Sequence, residues 1–192
     1  MVLGLTGKYC AGKNLVADYL ARLGWSIIDE DRIGHAALAA NRTKIIEAFG
    51  NQIVDDDGTI ARSKLGEIVF ADPDHLDRLE SIVHPWMVNE TRRLIVEGTD
   101  DRIVINAAIL FKMGLHDLCQ IVLIVRSYVV LRIFRGLRRD GNSIRQILKR
   151  LSAQRSLNRA PRGVDTISVR NNRSRNRLEL HVNRLLGGRI EG

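Results

Sequence analysis

Proline occurs three times in this 192-residue chain, cysteine twice, and aromatic residues make up only 5%. Each scarcity removes a class of protein. The two cysteines, Cys10 and Cys119, stand far apart with no CxxC or CxxxH pattern, which argues against a disulfide framework and a zinc site. No apolar run approaches the roughly 18 residues of a membrane-spanning helix. Val2–Leu5, ahead of Lys8, is too short for a secretory segment, so a cytoplasmic protein with no membrane partner is expected. Carboxylates are nearly missing from residues 126–177, where 14 arginines and one lysine face only Asp140 and Asp165. That segment carries +13, which leaves the rest of the chain at −5 against a total of +8.

What is present begins at the N-terminus. Val2–Leu5 is a short apolar strand, followed by Gly7-Lys8-Tyr9-Cys10-Ala11-Gly12-Lys13-Asn14 and then Leu15, Val16, Tyr19, Leu20 and Leu23 at one-face helical spacing. GxxxxGK arises by chance about 0.05 times in a chain of this length. Between a strand and a helix it describes a phosphate-binding loop: backbone amides and the helix N-terminus face the phosphates, and Lys13 reaches the terminal ones. Gly7, Cys10, Ala11, Gly12, Lys13 and Asn14 are thus candidate ATP-binding residues. Asn14 occupies the place of the Ser or Thr whose hydroxyl helps hold Mg²⁺. Cys10 reads as a small space-filler, with a redox-sensitive thiol as the alternative.

Further strands are predicted at 26–29, 103–106, 121–125 and 166–169, and helices at 127–139, 143–157 and 173–186. Their continuous β-branched runs suit a parallel sheet buried on both faces. Asp72-Pro73 predicts a helix start. Pro85 predicts a break or kink, with a second helical stretch from Trp86 to about Val96. The Ile28-Asp29-Glu30-Asp31 run ends the second strand, and if extended geometry persists Asp29 and Asp31 point to one side at the sheet's carboxyl edge. Asp31 is then either an acceptor-activating carboxylate or the N-cap of the next helix. Arg132, Arg135 and Arg139 share one helix face, which suits a gathered phosphate site on a nucleotide, a coenzyme or a nucleic-acid backbone better than a solvated surface. Tyr128 and Phe134 are the only aromatics between 126 and 177, so nucleic acid is the less favoured of these.

The ordered segments GLTGKYCAGKN, IIDEDRIGHAAL, FGNQIVDDDGTIARSKLGEIVF, IVHP and INAAILF resemble the dephospho-coenzyme A kinase family. The resemblance implies a P-loop kinase fold: an α/β protein with a five-stranded parallel sheet flanked by helices. It also implies a helical substrate-binding insertion at about 31–100 and an Arg-rich lid at about 132–150. The implied reaction is ATP-dependent phosphorylation of the ribose 3′-hydroxyl of dephospho-coenzyme A, with Mg²⁺. The implied roles are catalysis by Asp31, Lys13 and Arg139; triphosphate contacts by Arg135 and Arg139; and an adenine-side position for Asn171. Substrate contacts fall to Asp31, Arg62 and His84, with a structural role open for His84. Asn14 and Asp31 are the implied metal ligands. Asn14, Asn106, Ala108 and Lys112 depart from the family pattern, the last three where Asp, Pro and Glu are usual. Another small-molecule or nucleoside-monophosphate kinase, and a non-catalytic nucleotide-gated binder, are the alternatives.

Overall fold

A computed structural model describes residues 1–140, 147, 151 and 160–190, with side chains other than those of 139, 140 and 188–190. Two compact units emerge, Met1–Asp29 with Gly98–Gly192, and Glu30–Glu97. The first holds a five-stranded sheet made of β1 (Val2–Gly7), β2 (Ser26–Asp29), β3 (Ile103–Asn106), β4 (Ile121–Arg126) and β5 (Thr166–Arg170). All neighbours pair parallel in the order β2-β3-β1-β4-β5. The connection after β1 runs to β2 in one direction along the sheet and that after β3 runs to β4 in the other, which makes the carboxyl end between β1 and β3 a switch point of the kind where ligands bind in such sheets.

The sheet is buried as its composition demands. Leu3 and Leu5 of β1, Leu123 and Val125 of β4, and Val169 of β5 are at most 1% exposed. They pack with Val16 and Leu20 of α1 (Lys13–Arg22) and with Leu178, Val182 and Leu186 of the C-terminal helix, Arg175–Ile190. Each such side chain contributes about 1.5–3 kcal/mol on burial. Gly24, at φ +80°, lets α1 end in a tight turn, with the Trp25 amide donating to Leu20 O. The remaining described helix of this unit is Val129–Asp140. Of the helix expected at 143–157 only residues 147 and 151 are described, both helical, and residues 141–146 and 148–150 of the expected lid lie outside the described residues.

The second unit is helical: α2 (Glu30–Ala40), α3 (Arg42–Phe49), α4 (Arg62–Ala71) and α5 (Pro73–Glu97). In chain order the helices of the first unit that follow are therefore α6 (Val129–Asp140) and α7 (Arg175–Ile190). Asp72 starts α5 as its side chain predicts, accepting from the Asp74 amide at 2.9 Å. Two expectations are corrected. Pro85 neither ends nor splits the helix: α5 runs unbroken for 25 residues. Val83, Met87 and Thr91 are buried at i, i+4 and i+8 on both sides of the proline, and packing along that line outweighs one missing amide hydrogen bond. Extended geometry also does not persist past Asp29. The helix begins at Glu30, so Asp31 lies in its first turn, neither alternating with Asp29 on a strand nor acting as the N-cap.

Helix start and core meet at Glu30, whose side chain is 4% exposed and faces α5. The Thr91 hydroxyl lies 2.6 Å from Glu30 Oε1 and 2.8 Å from Met87 O. Thr91→Val keeps the volume and removes this partner of a buried acid. It is expected to cost about 1–3 kcal/mol, read as a lower urea midpoint with an unchanged m-value.

Candidate active site

The glycine loop between β1 and α1 adopts a cradle whose shape depends on unusual backbone torsions. Gly12 has φ +95°, and a Cβ there would stand 2.1 Å from Asn171 Nδ2, so both torsion and space require glycine. Cys10 is the one described non-glycine residue with positive φ, at 56°. A local turn, Ala11 N to Lys8 O at 2.9 Å, closes the loop ahead of the helix.

Three successive loop carbonyls face donors from elsewhere in this unit. Arg132 Nε donates to Tyr9 O at 2.8 Å, Arg135 Nη1 approaches Cys10 O at 3.5 Å, and Asn171 Nδ2 donates to Ala11 O at 2.9 Å. Arg135 is itself braced, with Nη2 donating to Asn171 O at 3.0 Å and Nη1 to Ser127 Oγ at 3.1 Å. Ser127 Oγ donates in turn to Asn171 O at 2.9 Å. Helix α6 lies close enough that a Cβ on Gly136 would be 3.2 Å from the Tyr9 ring. With its carbonyls engaged from behind, the loop presents the free amides of the α1 N-terminus to an anion. Arg132 is 5% exposed, and burial holds its guanidinium below the ordinary arginine value without reaching neutrality.

Lys13 opens α1, and its Nζ donates to Asn106 Oδ1 at 2.5 Å. Asn106 ends β3 in register with Asp29 of β2, so a lysine, an amide and a carboxylate gather at the carboxyl end of neighbouring strands. Asn14 is exposed in the first turn of α1. The donor set suits Mg²⁺, which is held through one or two carboxylates and substrate phosphates rather than a full protein cage. No group of three or more His, Cys, Asp or Glu is placed to hold a metal among the described residues.

In the helical unit, Arg62 begins α4 and its Nη1 lies 2.9 Å from His35 Nε2 on α2. Asp31 and His35 are four residues apart on that helix and so share a face. Arg62, His35 and Arg42 line a cavity of about 390 Å³ together with Thr59. Of the Asp57-Gly58…Arg62 block, Thr59, Ile60 and Arg62 line it. Asp57 Oδ1 accepts from both the amide and the hydroxyl of Thr59, which holds its carboxyl below the usual range. Gly58 turns at φ +78° and its carbonyl accepts from Arg42 Nε at 2.6 Å. His84 is half-buried on α5 and does not line this cavity. The Arg139 side chain lies outside those described.

Of the residues expected from sequence, Gly7, Cys10, Ala11, Gly12, Lys13, Asn14, Arg135 and Asn171 therefore belong to the sheet unit, and Asp31, Arg62 and His84 to the helical one. Arg132 and Ser127, which carry much of the loop's support, were not singled out as site residues. Only the shared helix face of Arg132 and Arg135 hinted at the first. His35 gave no signal, because 27 residues separate it from Arg62.

A family model described as dephospho-CoA kinase matches residues 1–176. The dephospho-CoA kinase of Fusobacterium nucleatum subsp. nucleatum is 36% identical over 142 residues, covering 73% of this chain and 74% of that protein. That of Bacillus licheniformis is 31% identical over 196 residues, covering 97% and 95%. Among solved structures, TT1252 from Thermus thermophilus superposes with a TM-score of 0.83 at 24% identity, covering 98% of this chain and 97% of that one. Dephospho-CoA kinase from Campylobacter jejuni superposes with a TM-score of 0.68 at 22% identity, covering 97% and 95%. These two likenesses carry the fold: the five-stranded parallel sheet flanked by helices is that of P-loop kinases.

Two substitutions test the loop's support. Asn171→Ala leaves Ala11 O without its donor and is expected to cost about 1–3 kcal/mol, measured as a lower melting temperature together with at least tenfold weaker nucleotide binding. Cys10→Gly relieves a left-handed residue and is expected to stabilise by about 1 kcal/mol, a rise of about 2–4 °C by calorimetry.

Proposed function

The chain belongs to the dephospho-coenzyme A kinase family, which completes coenzyme A by ATP-dependent phosphorylation, and from that premise we propose how its own residues divide the work. The loop amides and Lys13 bind the ATP phosphates. Arg135 steadies the loop from behind, and Arg139 neutralises charge on the transferring group. Asp31 orients the ribose 3′-hydroxyl of dephospho-coenzyme A and accepts its proton. The 3′-oxygen then forms its bond to the γ-phosphorus as the bond from that phosphorus to the β–γ bridging oxygen breaks, and ADP leaves. Arg62 and His84 hold the coenzyme substrate. The cavity lined by Arg62, His35 and Arg42 supports the placing of an anionic group of that substrate in the helical unit.

Asn14 and the Asp29–Asp31 segment are the residues that would hold Mg²⁺, which offsets phosphate charge when bound. Asn106 is the unusual member of the site. Its amide oxygen accepts from Lys13, so it positions the lysine where an aspartate would pair with it as a counter-ion. We place the reaction in the cytoplasm, where the two free cysteines stay reduced. Burial pushes the Cys119 thiol up to about 12, which disfavours its reactive thiolate.

The observation that carries this reading is the Lys13–Asn106 contact at the mouth of a loop already held in an anion-binding shape. Its primary test is formation of ADP and coenzyme A from ATP and purified dephospho-coenzyme A with Mg²⁺ titrated, beside AMP and shikimate as acceptors. Transfer to AMP or shikimate in preference to dephospho-coenzyme A would refute the substrate. Asp31→Asn is expected to lower kcat by about 10²–10⁴-fold while ATP affinity changes little, and an unchanged kcat would remove Asp31 from the chemistry. Asn14→Thr is expected to lower the Mg²⁺ concentration needed for half-maximal rate and to retain turnover. Loss of ATP binding in that variant would rule out the ligand role of Asn14.

A further inference from the structure

Beside the edge strand β5 lies a cavity of about 590 Å³ to which the kinase reading assigns nothing. Arg170, Arg173, Arg177, Arg184, His181 and Tyr128 line it, and among the described residues no carboxylate does. Arg22 and Arg175 have an acidic partner in Glu179, at 2.5 and 3.0 Å. By contrast, none of the four cavity arginines has a side-chain hydrogen bond or ion pair among the described residues. Like charges gathered without counter-ions raise the energy of the fold, and a bound polyanion lowers it.

Placement narrows the ligand. Arg177, His181 and Arg184 stand at i, i+4 and i+7 along one face of α7, about 10 Å from first to last. Arg170 ends β5, and Arg173 sits in the turn between them. That span exceeds one phosphate and suits two or more. The Tyr128 ring is 66% exposed and offers a surface on which a base can stack. No residue of the phosphate loop lines the cavity. Its Tyr128 rim is fixed in place, with Tyr128 N donating to Asn172 Oδ1 at 2.9 Å beside the Ser127–Asn171 bond.

We propose that this arginine-lined cavity is a second nucleotide site, taking a nucleotide with two or more phosphate groups independently of the phosphate loop. The test is equilibrium titration of the full chain with ADP, with adenosine and a short single-stranded RNA as comparison ligands. The native chain is expected to bind two ADP, Lys13→Ala one, and Arg177→Glu/Arg184→Glu one. That double variant is expected to keep the rate of coenzyme A formation within about twofold, and its Gln counterpart to weaken the second ADP at least tenfold. A single ADP per native chain, or two in both double variants, overturns the proposal. Adenosine held as tightly as ADP overturns the phosphate basis, and RNA held more tightly than ADP with a steep salt dependence replaces it with a nucleic-acid surface. Failure to form coenzyme A would strike the kinase assignment and leave the stoichiometry of the double variants as a separate result.

Discussion

A loop that presents its amides to phosphate must have its carbonyls satisfied on the other side, and this requirement organises the sheet unit. Tyr9, Cys10 and Ala11 turn their carbonyls towards Arg132, Arg135 and Asn171. Those donors come from α6 and from the end of β5, more than 100 residues away in the chain. The five-stranded sheet exists, from the loop's point of view, to carry α6 and the β5 end to its back. A buried carbonyl without a donor costs a few kcal/mol, so the loop and its supports form one cooperative element. The strain at Cys10 and the close approach of Asn171 to Gly12 are tolerated because neighbouring contacts over-determine them.

The same arrangement gives the basic segment several distinct roles. A cluster of arginines reads in one dimension as one feature. In three dimensions Arg132 is buried structure, Arg135 bridges two backbone carbonyls and a serine, and Arg170, Arg173, Arg177 and Arg184 surround a cavity of their own. Desolvation separates these roles. A guanidinium turned into the protein is committed to carbonyls it must satisfy, whereas one facing an open cavity keeps its charge for a ligand. The cavity residues also show how little a charge count says about partners until the counter-ions are known.

Asn14 and Asn106 take on a common meaning at the sheet edge. Both replace oxygen donors with amides, and both lie within the reach of Lys13 or the α1 N-terminus. Where an aspartate at 106 would offer the lysine a charged acceptor, the asparagine offers a neutral one at 2.5 Å. Asp29, at the end of β2, is in register with Asn106.

Much of this was legible from residues alone. The five strands announced themselves as β-branched runs, Asp72 marked a helix start through local backbone chemistry, and GxxxxGK marked the loop between strand and helix, because these signals act within a few residues. The break at Pro85 and the extended geometry through Asp31 are the expectations overturned, for the complementary reason. A proline's local cost yields to a buried stripe through Val83, Met87 and Thr91, and strand geometry beyond Asp29 yields to a helix whose first residue buries a carboxylate against Thr91. Local chemistry thus determined the phosphate loop, the strand inventory and the family. Tertiary structure decided which arginines serve the loop, which amide holds Lys13 and which charges are left without partners, because those outcomes depend on burial and on donors brought together from distant parts of the chain.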